Sequence, residues 1–239
     1  MCNTCGCNPN HSHAHAHDHP APRKKITIEQ DILSKNNSLA KTNRALFKKH
    51  QIFALNLVSS PGSGKTALLE KTLRELSAKT RFAVIEGDQQ TDNDAQRIAK
   101  TGVPVHQINT GAGCHLDAHG IAHALDHFDL KNLDVLFIEN VGNLVCPATF
   151  DLGEHHKVAV LSVTEGEDKP LKYPTMFENS DVMLLNKIDL LPYLDFDVKK
   201  CKEFAKRVNP KIKIFEISVK TGAGMSTWYE WLAQEAREI

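Results

Sequence analysis

Residues 52–66 read IFALNLVSSPGSGKT, and this stretch decides the fold. An apolar run typical of a strand leads into a glycine-containing turn, and a helical pattern follows, which is the context of a P-loop. Glycines let successive backbone N–H groups converge on phosphate oxygens, and the N-terminus of the following helix favours the same negative charge. Lys65 would reach the terminal phosphates, and Thr66 would offer its hydroxyl to Mg²⁺. We predict nucleotide binding by a set of consecutive residues: Gly62, Ser63, Gly64, Lys65, Thr66 and Ala67.

Two positions depart from the usual loop. Ser59 stands where the first glycine is usual, and Pro61 has no N–H to donate, so the donors should begin near Gly62. The alternative is a glycine-rich turn without a ligand, and the flanking strand and helix patterns argue against it.

The rest of the chain alternates apolar runs with helical patterns. Most of the runs are continuously apolar, as expected for strands of a parallel sheet that is buried on both faces. The predicted strands are 52–59, 81–88, 103–108, 135–139, 157–163, 182–186 and 212–218. The predicted helices are 65–78, 91–100, 115–127, 198–208 and 226–237. This order indicates a doubly wound, mostly parallel α/β sheet, whose ligands gather at the carboxyl ends of the strands.

The sequence Asn186-Lys187-Ile188-Asp189, at the end of a predicted strand, indicates which base is bound. A carboxylate at Asp189 can accept two hydrogen bonds from guanine, whereas adenine presents the wrong donors, so we predict GTP. A site built around a substrate's hydrogen bonds rejects an analogue that lacks them. Ser218, Val219 and Lys220 follow the last strand and would close over the base, although a plain strand-to-turn transition remains an alternative there.

Carboxylates at two other strand ends indicate a Mg²⁺ site, since this ion prefers oxygen ligands. We assign Asp88 and Glu139, together with Thr66, to the metal or its waters, and Gly142 to the γ-phosphate through its N–H. Lys65, Thr66, Asp88 and Glu139 are the predicted catalytic set. Residues 89–94 are the predicted switch. Exposed strand-end charges are the alternative for both carboxylates.

Thiols and an imidazole follow two of the predicted strands. Cys114 and His115 come after the third strand and Cys146 after the fourth, so their loops can meet. Such ligands suit Zn²⁺ or Ni²⁺ and not Mg²⁺. Three ligands fall short of a tetrahedral shell, and a second copy of the chain would most simply supply the rest in a homodimer. Buried cysteines and a capping histidine are the alternative.

A histidine every fourth residue follows this pair. His119 is a weaker candidate ligand of the same site, whereas His123 and His127 are read as part of a solvated stripe.

The N-terminal segment has its own composition. Residues 1–25 are predicted to be a disordered metal-binding tail, 26–50 an amphipathic helix and linker that starts with a capping box at Thr27 and Gln30, and 51–239 the nucleotide-binding domain. The tail offers Cys2, Cys5 and Cys7, whose thiolates with the α-amine would favour Ni²⁺ or Cu²⁺. Storage ligands of lower affinity would be His11, His13, His15, His17 and His19. An affinity tag and redox-sensing thiols are the alternatives.

The composition excludes several classes of function. The 239 residues are 41% hydrophobic and 24% charged, which is ordinary for a globular domain. The 29 Lys and Arg balance the 29 Asp and Glu, so nothing favours a nucleic-acid partner. The sequence has neither a secretory signal nor an apolar run near the roughly 20 residues that cross a bilayer. We expect a cytoplasmic protein without a membrane partner, whose six cysteines are not a disulfide framework.

These motifs together resemble HypB, a family of SIMIBI-class P-loop GTPases that assist nickel insertion into [NiFe] hydrogenase. The resemblance is carried by residues 1–7, 59–66, 86–92, 111–115, 139–154, 162–174 and 186–189. It implies nucleotide-dependent dimerisation, a high-affinity Ni²⁺ site at Cys2, Cys5 and Cys7, and a Zn²⁺/Ni²⁺ site at Cys114, His115 and Cys146. The partners it implies are a HypA-like metallochaperone and the hydrogenase large subunit.

The function predicted from the sequence is therefore a GTP-hydrolysing nickel metallochaperone for hydrogenase maturation. Hydrolysis is expected to be slow, because no Arg or Gln of the switch is an obvious stabiliser of the transition state. GTP and the transition metal should change each other's affinity, since the loop of Cys146 continues from the γ-phosphate segment. The alternatives are a UreG-like urease maturation GTPase, a nickel or zinc storage protein with a regulatory nucleotide site, and a general GTP-driven regulator.

Overall fold

The computed structural model describes residues 22–88, 92–111 and 113–239, with side chains from residue 30 onward. Within these ranges, seven strands form one sheet in which every neighbouring pair is parallel. They are β1 (Phe53–Ser59), β2 (Phe82–Asp88), β3 (Val105–Asn109), β4 (Val135–Glu139), β5 (His156–Ser162), β6 (Val182–Asn186) and β7 (Lys213–Glu216). The predicted strands and the doubly wound α/β class are confirmed.

The order of the strands across the sheet is β3-β2-β4-β1-β5-β6-β7. β1 lies between β4 and β5, and each of its residues is buried, which explains its continuously apolar sequence. The polar exceptions are Asn56 in the middle of this strand and Ser59 at its end, both buried. Because the strands are parallel, the loops after β1, β2, β3 and β4 all emerge at the same edge of the sheet.

Helices cover both faces of the sheet. They are α1 (Pro22–His50), α2 (Lys65–Leu76), α3 (Asn93–Ala99), α4 (Ala118–Leu125), α5 (Cys146–Thr149), α6 (Lys169–Lys172), α7 (Pro174–Glu178), α8 (Val198–Val208) and α9 (Met225–Glu235). One face packs against α2 and α9, where Trp228 is fully buried and its Nε1 donates to Thr72 Oγ1 at 3.1 Å. The other face packs against α1 and α4 in one half and against α7 and α8 in the other.

Helix α1 begins at Pro22, so the predicted start at Thr27 was wrong: the apparent capping box lies inside the helix. The helix is attached to the body by two buried asparagines. Asn43 Nδ2 donates to the carbonyl oxygens of Ala118 at 2.9 Å and Leu152 at 3.0 Å. Asn36 accepts a hydrogen bond from the N–H of Ala118 at 2.9 Å. The helix therefore contacts the beginning of α4 and the loop before β5.

Helix α4 begins later than predicted. The side chain of Asp117 accepts a hydrogen bond from the N–H of Gly120 at 2.7 Å and caps the helix there. Cys114 and His115 consequently lie in the loop before the helix and not in its first turn. The helices α5, α6 and α7 were not predicted; each has four or five residues and a proline in its first turn. In the described part of the chain, no helix combines the length and apolarity needed to span a membrane.

Candidate functional site

The loop between β1 and α2 has the backbone geometry of a phosphate-binding turn. Gly62 and Gly64 have φ angles of 76° and 101°, in the left-handed region that favours glycine. A Cβ atom on Gly64 would lie 2.6 Å from Asn186 Nδ2, so a side chain has no room there. Lys65 is buried, and its ammonium donates to Ser59 Oγ at 2.8 Å. Burial lowers the pKa of Lys65, and the carboxylate of Glu139 opposes this shift.

A cavity of about 390 Å³ lies over this loop, and we call it the nucleotide cavity. It collects predicted residues from three separate segments of the chain. Those that line it are Gly62, Gly64, Lys65, Thr66, Ala67, Asp88, Glu139 and Gly142. Gly142 lies against the phosphate loop, since a Cβ there would be 3.1 Å from Pro61 Cα. A larger cavity of about 910 Å³ lies beside α9 at the beginnings of β2 and β4, away from every predicted site residue.

Two buried glutamates lie beside each other on neighbouring strands, and one of them, Glu139, lines the cavity. Glu86 and Glu139 are register partners on β2 and β4 and are 2% and 3% exposed. Burial, with the negative charges of Glu139 and Asp88, raises the pKa of Glu86 to about 8. Burial likewise raises the pKa of Glu139 to about 7, although Lys65 and Thr66 favour its ionised form. Sequence reasoning gave Glu86 no role; a charged residue inside a buried strand was the available signal.

The oxygen atoms here suit a hard divalent cation. Thr66 Oγ1 donates to Glu139 Oε1 at 2.7 Å. The other carboxylate oxygen of Glu139 is buried and has no hydrogen-bond partner within the described residues. Since Asp88 lines the same cavity, the three residues predicted to hold Mg²⁺ are close to one another and fit that ion.

Arg97 of α3 also lines the nucleotide cavity and was missed by sequence reasoning, which considered arginines only within the switch. Its guanidinium donates to Glu70 Oε2 and, at 3.1 Å, to Asp94 Oδ1. Both carboxylates hold this cation to the protein. Burial tends to lower the pKa of Arg97, but hydrogen bonds to Glu70 and Asp94 outweigh it and raise the pKa.

The residues predicted to read the base are joined to one another and to the phosphate loop. Ser218 Oγ donates to Asp189 Oδ1 at 2.6 Å. Asn186 Nδ2 donates to the carbonyl of Ser63 at 2.9 Å, and Lys187 Nζ donates to the carbonyl of Gly62 at 2.7 Å. Two predicted base residues thus brace the phosphate loop. Of the remaining two, Val219 contacts the same brace through its N–H, 3.4 Å from Asn186 Oδ1, and Lys220 is exposed.

Cys114, His115 and Cys146 form a second cluster, which we call the thiol site. One ligand atom from each residue lies within 4.8 Å of the others. Cys114 Sγ is 3.5 Å from His115 Nδ1, and the His115 ring lies with its centroid 3.9 Å from that of Phe150. A hydrogen bond to Cys146, together with burial, raises the pKa of Cys114, and burial lowers the pKa of His115. A neutral imidazole and two thiols suit Zn²⁺ or Ni²⁺.

His119 is not part of this cluster. It is exposed on α4, and its Nε2 lies 3.1 Å from Nε2 of His123. His123 and His127 are also exposed, as expected for a solvated stripe. The predicted ligands of the tail lie outside the described residues: Cys2, Cys5, Cys7, His11, His13, His15, His17 and His19. Residues 89–91 of the predicted switch lie outside them too.

The class of protein follows from three features: a parallel α/β sheet, a phosphate-binding loop after its first strand, and a thiol site at the same edge. They define a P-loop nucleotide-binding protein with candidate metal ligands. Comparison with known proteins agrees. Residues 53–216 match the CobW/HypB/UreG nucleotide-binding domain. Hydrogenase maturation factor HypB of Azotobacter vinelandii is 61% identical over 89% of this chain and 70% of its own length. The Escherichia coli K12 protein of the same name is 62% identical over 88% of this chain and 72% of its own.

A solved structure is also similar, that of HypB from Helicobacter pylori in complex with nickel. It has a TM-score of 0.81 and 41% identity, covering 85% of this chain and 96% of that one. The chain belongs to the HypB family of hydrogenase maturation factors within the CobW/HypB/UreG group.

Proposed function

We propose that this protein is a GTP-hydrolysing nickel metallochaperone of [NiFe]-hydrogenase maturation. The observation that carries the proposal is the segment from Glu139 to Cys146. Glu139 contacts Thr66, Gly142 lies against Pro61, and Cys146 belongs to the thiol site, so one short segment contributes to both sites. The relatives named for hydrogenase maturation, and the nickel complex of the Helicobacter pylori protein, support the choice of metal and pathway.

The nucleotide chemistry follows from the side chains. Lys65 and the loop N–H groups bind the phosphates, and Asp189 with the segment of Ser218, Val219 and Lys220 binds guanine. Thr66, Asp88 and Glu139 hold Mg²⁺, which neutralises phosphate charge when bound. Hydrolysis of GTP to GDP is slow, because Glu70 and Asp94 already hold the guanidinium of Arg97.

The cargo is Ni²⁺, and Zn²⁺ competes for the same ligands. The tail cysteines bind Ni²⁺ tightly, the tail histidines store it, and the thiol site exchanges it. Three ligands leave the thiol site short of a full shell, so a second copy of the chain contributes in a homodimer. A HypA-like metallochaperone and the hydrogenase large subunit are the expected partners. The three cysteines with described side chains are free thiols, which suits the cytoplasm.

The binding of GTP and the binding of Ni²⁺ are coupled. If GTP favours one arrangement of the segment from Glu139 to Cys146 and GDP another, Ni²⁺ binds better in one of them. Nucleotide and Ni²⁺ must then change each other's affinity by the same factor. Hydrolysis thereby gives delivery a direction.

The test is Lys65→Ala in the full chain. Loss of the buried ammonium should weaken GTP binding by about 10- to 100-fold, measured by titration with a fluorescent analogue. Hydrogenase activity in cells that carry the variant should fall with it. Lys79→Ala, an exposed lysine after α2, is the matched control and should leave both unchanged. Full hydrogenase activity with Lys65→Ala would overturn the proposal in favour of metal storage.

A further inference from the structure

Asn140 directly follows Glu139 at the end of β4 and is 1% exposed. Its N–H donates to the carbonyl of Leu57 at 3.0 Å, so its backbone continues the pairing with β1. The side chain is therefore held inside the molecule, next to the strand that leads into the phosphate loop. The nucleotide chemistry described above gives this residue no role.

The side-chain oxygen of Asn140 joins the two sites. It accepts hydrogen bonds from the N–H of Val141 at 3.0 Å and from the N–H of Leu116 at 3.1 Å. Val141 lines the nucleotide cavity beside Gly142, and Leu116 directly follows His115 of the thiol site. One buried oxygen thus holds a backbone N–H from each site.

The side-chain nitrogen of Asn140 begins a second buried connection. It donates to Asn56 Oδ1 at 3.3 Å, and Asn56 Nδ2 donates to Glu154 Oε1 at 3.0 Å. Glu154 Oε1 lies 3.8 Å from the ammonium of Lys157. That ammonium donates to three carbonyl oxygens of the turn that Cys146 begins, those of Pro147, Ala148 and Phe150. The chain of contacts ends at the other loop of the thiol site.

We infer that Asn140 is the positioning residue that couples the nucleotide cavity to the thiol site, an inference that rests on the proposed function. A carbonyl oxygen has two lone pairs, and here both are used. When Val141 shifts with the state of the phosphates, Leu116 must follow or lose its acceptor. A buried N–H without an acceptor is costly, so the two loops move together. Asn140 is neither among the residues that line the nucleotide cavity nor one of the three ligands of the thiol site, and it acts through these neighbours.

The experiment measures the Ni²⁺ dissociation constant of the full chain with GDP and with a non-hydrolysable GTP analogue plus Mg²⁺. The tail cysteines are replaced, as Cys2→Ser, Cys5→Ser and Cys7→Ser, so that the titration reports the thiol site. In this background the two constants should differ by about fivefold or more. With Asn140→Ala the ratio should fall to within about twofold of one, while each ligand still binds. The effect of Ni²⁺ on nucleotide affinity must shrink by the same factor.

Asn209→Ala is the matched control, because Asn209 Nδ2 also donates to several carbonyls, including that of Ser180 at 2.9 Å, but far along the chain from both sites. Asn209→Ala should lower the stability of the fold and leave the ratio of the two Ni²⁺ dissociation constants unchanged. Asn140→Asp, which keeps an oxygen for both N–H groups, should retain most of the coupling and serves if Asn140→Ala does not fold. An unchanged ratio in Asn140→Ala, or in Asn140→Asp a ratio near one, overturns the inference alone. A ratio of one in the unmutated background overturns the proposed coupling itself.

Discussion

The carboxylate of Asp189 is oriented before any base arrives. Ser218 Oγ donates to its Oδ1 at 2.6 Å. In Asp189→Asn the amide oxygen would be favoured at that position, since Ser218 still needs an acceptor, and the NH₂ group would face the base. The amide NH₂ of the variant would then face the N–H donors of guanine, and no hydrogen bond could form between them. We expect affinity for GDP to fall by roughly 100-fold, as measured by calorimetric titration.

Asp195→Asn removes the same charge from an exposed position in the following loop. It should leave GDP affinity within about twofold of the wild-type value, because exposed charges contribute little. If the two variants weakened GDP binding equally, the effect would be one of net charge and Asp189 would not read the base.

At the scale of single residues, sequence motifs predicted those side chains that follow a strand in a recognisable order. Lys65, Thr66 and Asp189 belong to such motifs. Glu86 and Asn140 lie within segments 86–92 and 139–154 of the resemblance, but they received no role because their importance comes from neighbours on other strands. Asn56 in the centre of an apolar run was the clearest local signal, since a polar residue there needs a buried partner.

At the scale of elements, α1 depends on Asn43 for its attachment to the body. The buried amide donates to carbonyls of Ala118 and Leu152, which lie on two different segments. Asn43→Ala would leave both acceptors buried without this donor. We expect a loss of about 2 kcal/mol in the free energy of unfolding, measured with urea.

Asn37 provides the comparison on the same helix, because it is exposed. Asn37→Ala should stabilise the protein slightly, by up to about 0.7 kcal/mol, since alanine is the better helix former. Equal losses in both variants would mean that α1 is held by its apolar residues, and that the two Asn43 hydrogen bonds add nothing.

The strands were predicted well because a parallel sheet with two covered faces needs continuous apolar runs. Helix ends and short helices were predicted less well. Helix α5 spans only Cys146–Thr149, which is too short for a 3.6-residue period to show. The residues Thr27 and Gln30 have the spacing of a capping box, but they lie inside α1, which begins at Pro22. The meeting of Cys114 and Cys146 followed from topology: β2 lies between β3 and β4 in the sheet, but the loops after parallel strands all emerge at the same edge.

At the scale of the whole molecule, the carboxyl ends and the amino ends of the strands carry different features. The carboxyl edge carries the nucleotide cavity and the thiol site. At the amino edge, His156 at the start of β5 connects distant parts of the chain: its Nε2 is 3.2 Å from Glu235 of α9, and its Nδ1 is 3.3 Å from Asp181 before β6. This cluster ties the C-terminal helix to the sheet and links stability to pH.

His156 should stabilise the fold most at low pH. Burial tends to lower its pKa, but Asp181 and Glu235 outweigh burial and raise the pKa above the ordinary 6.5. Protonation therefore favours the folded state: the contribution is complete below pH 6.5 and is lost as the pH rises through the raised pKa. Lys213 also pairs with Glu235, and burial, together with the charge of His156, lowers the pKa of the neighbouring His155.

His156→Gln should cost on the order of 1 kcal/mol more at pH 6 than at pH 9, after allowance for solvent screening. Urea unfolding across this range measures the difference at each pH. His123→Gln, on the exposed surface of α4, should leave the profile of the wild-type protein unchanged. A cost of His156→Gln that stayed constant with pH would show that the ring acts only by packing against Phe53 and Trp231, whose centroids lie 5.8 and 5.5 Å away.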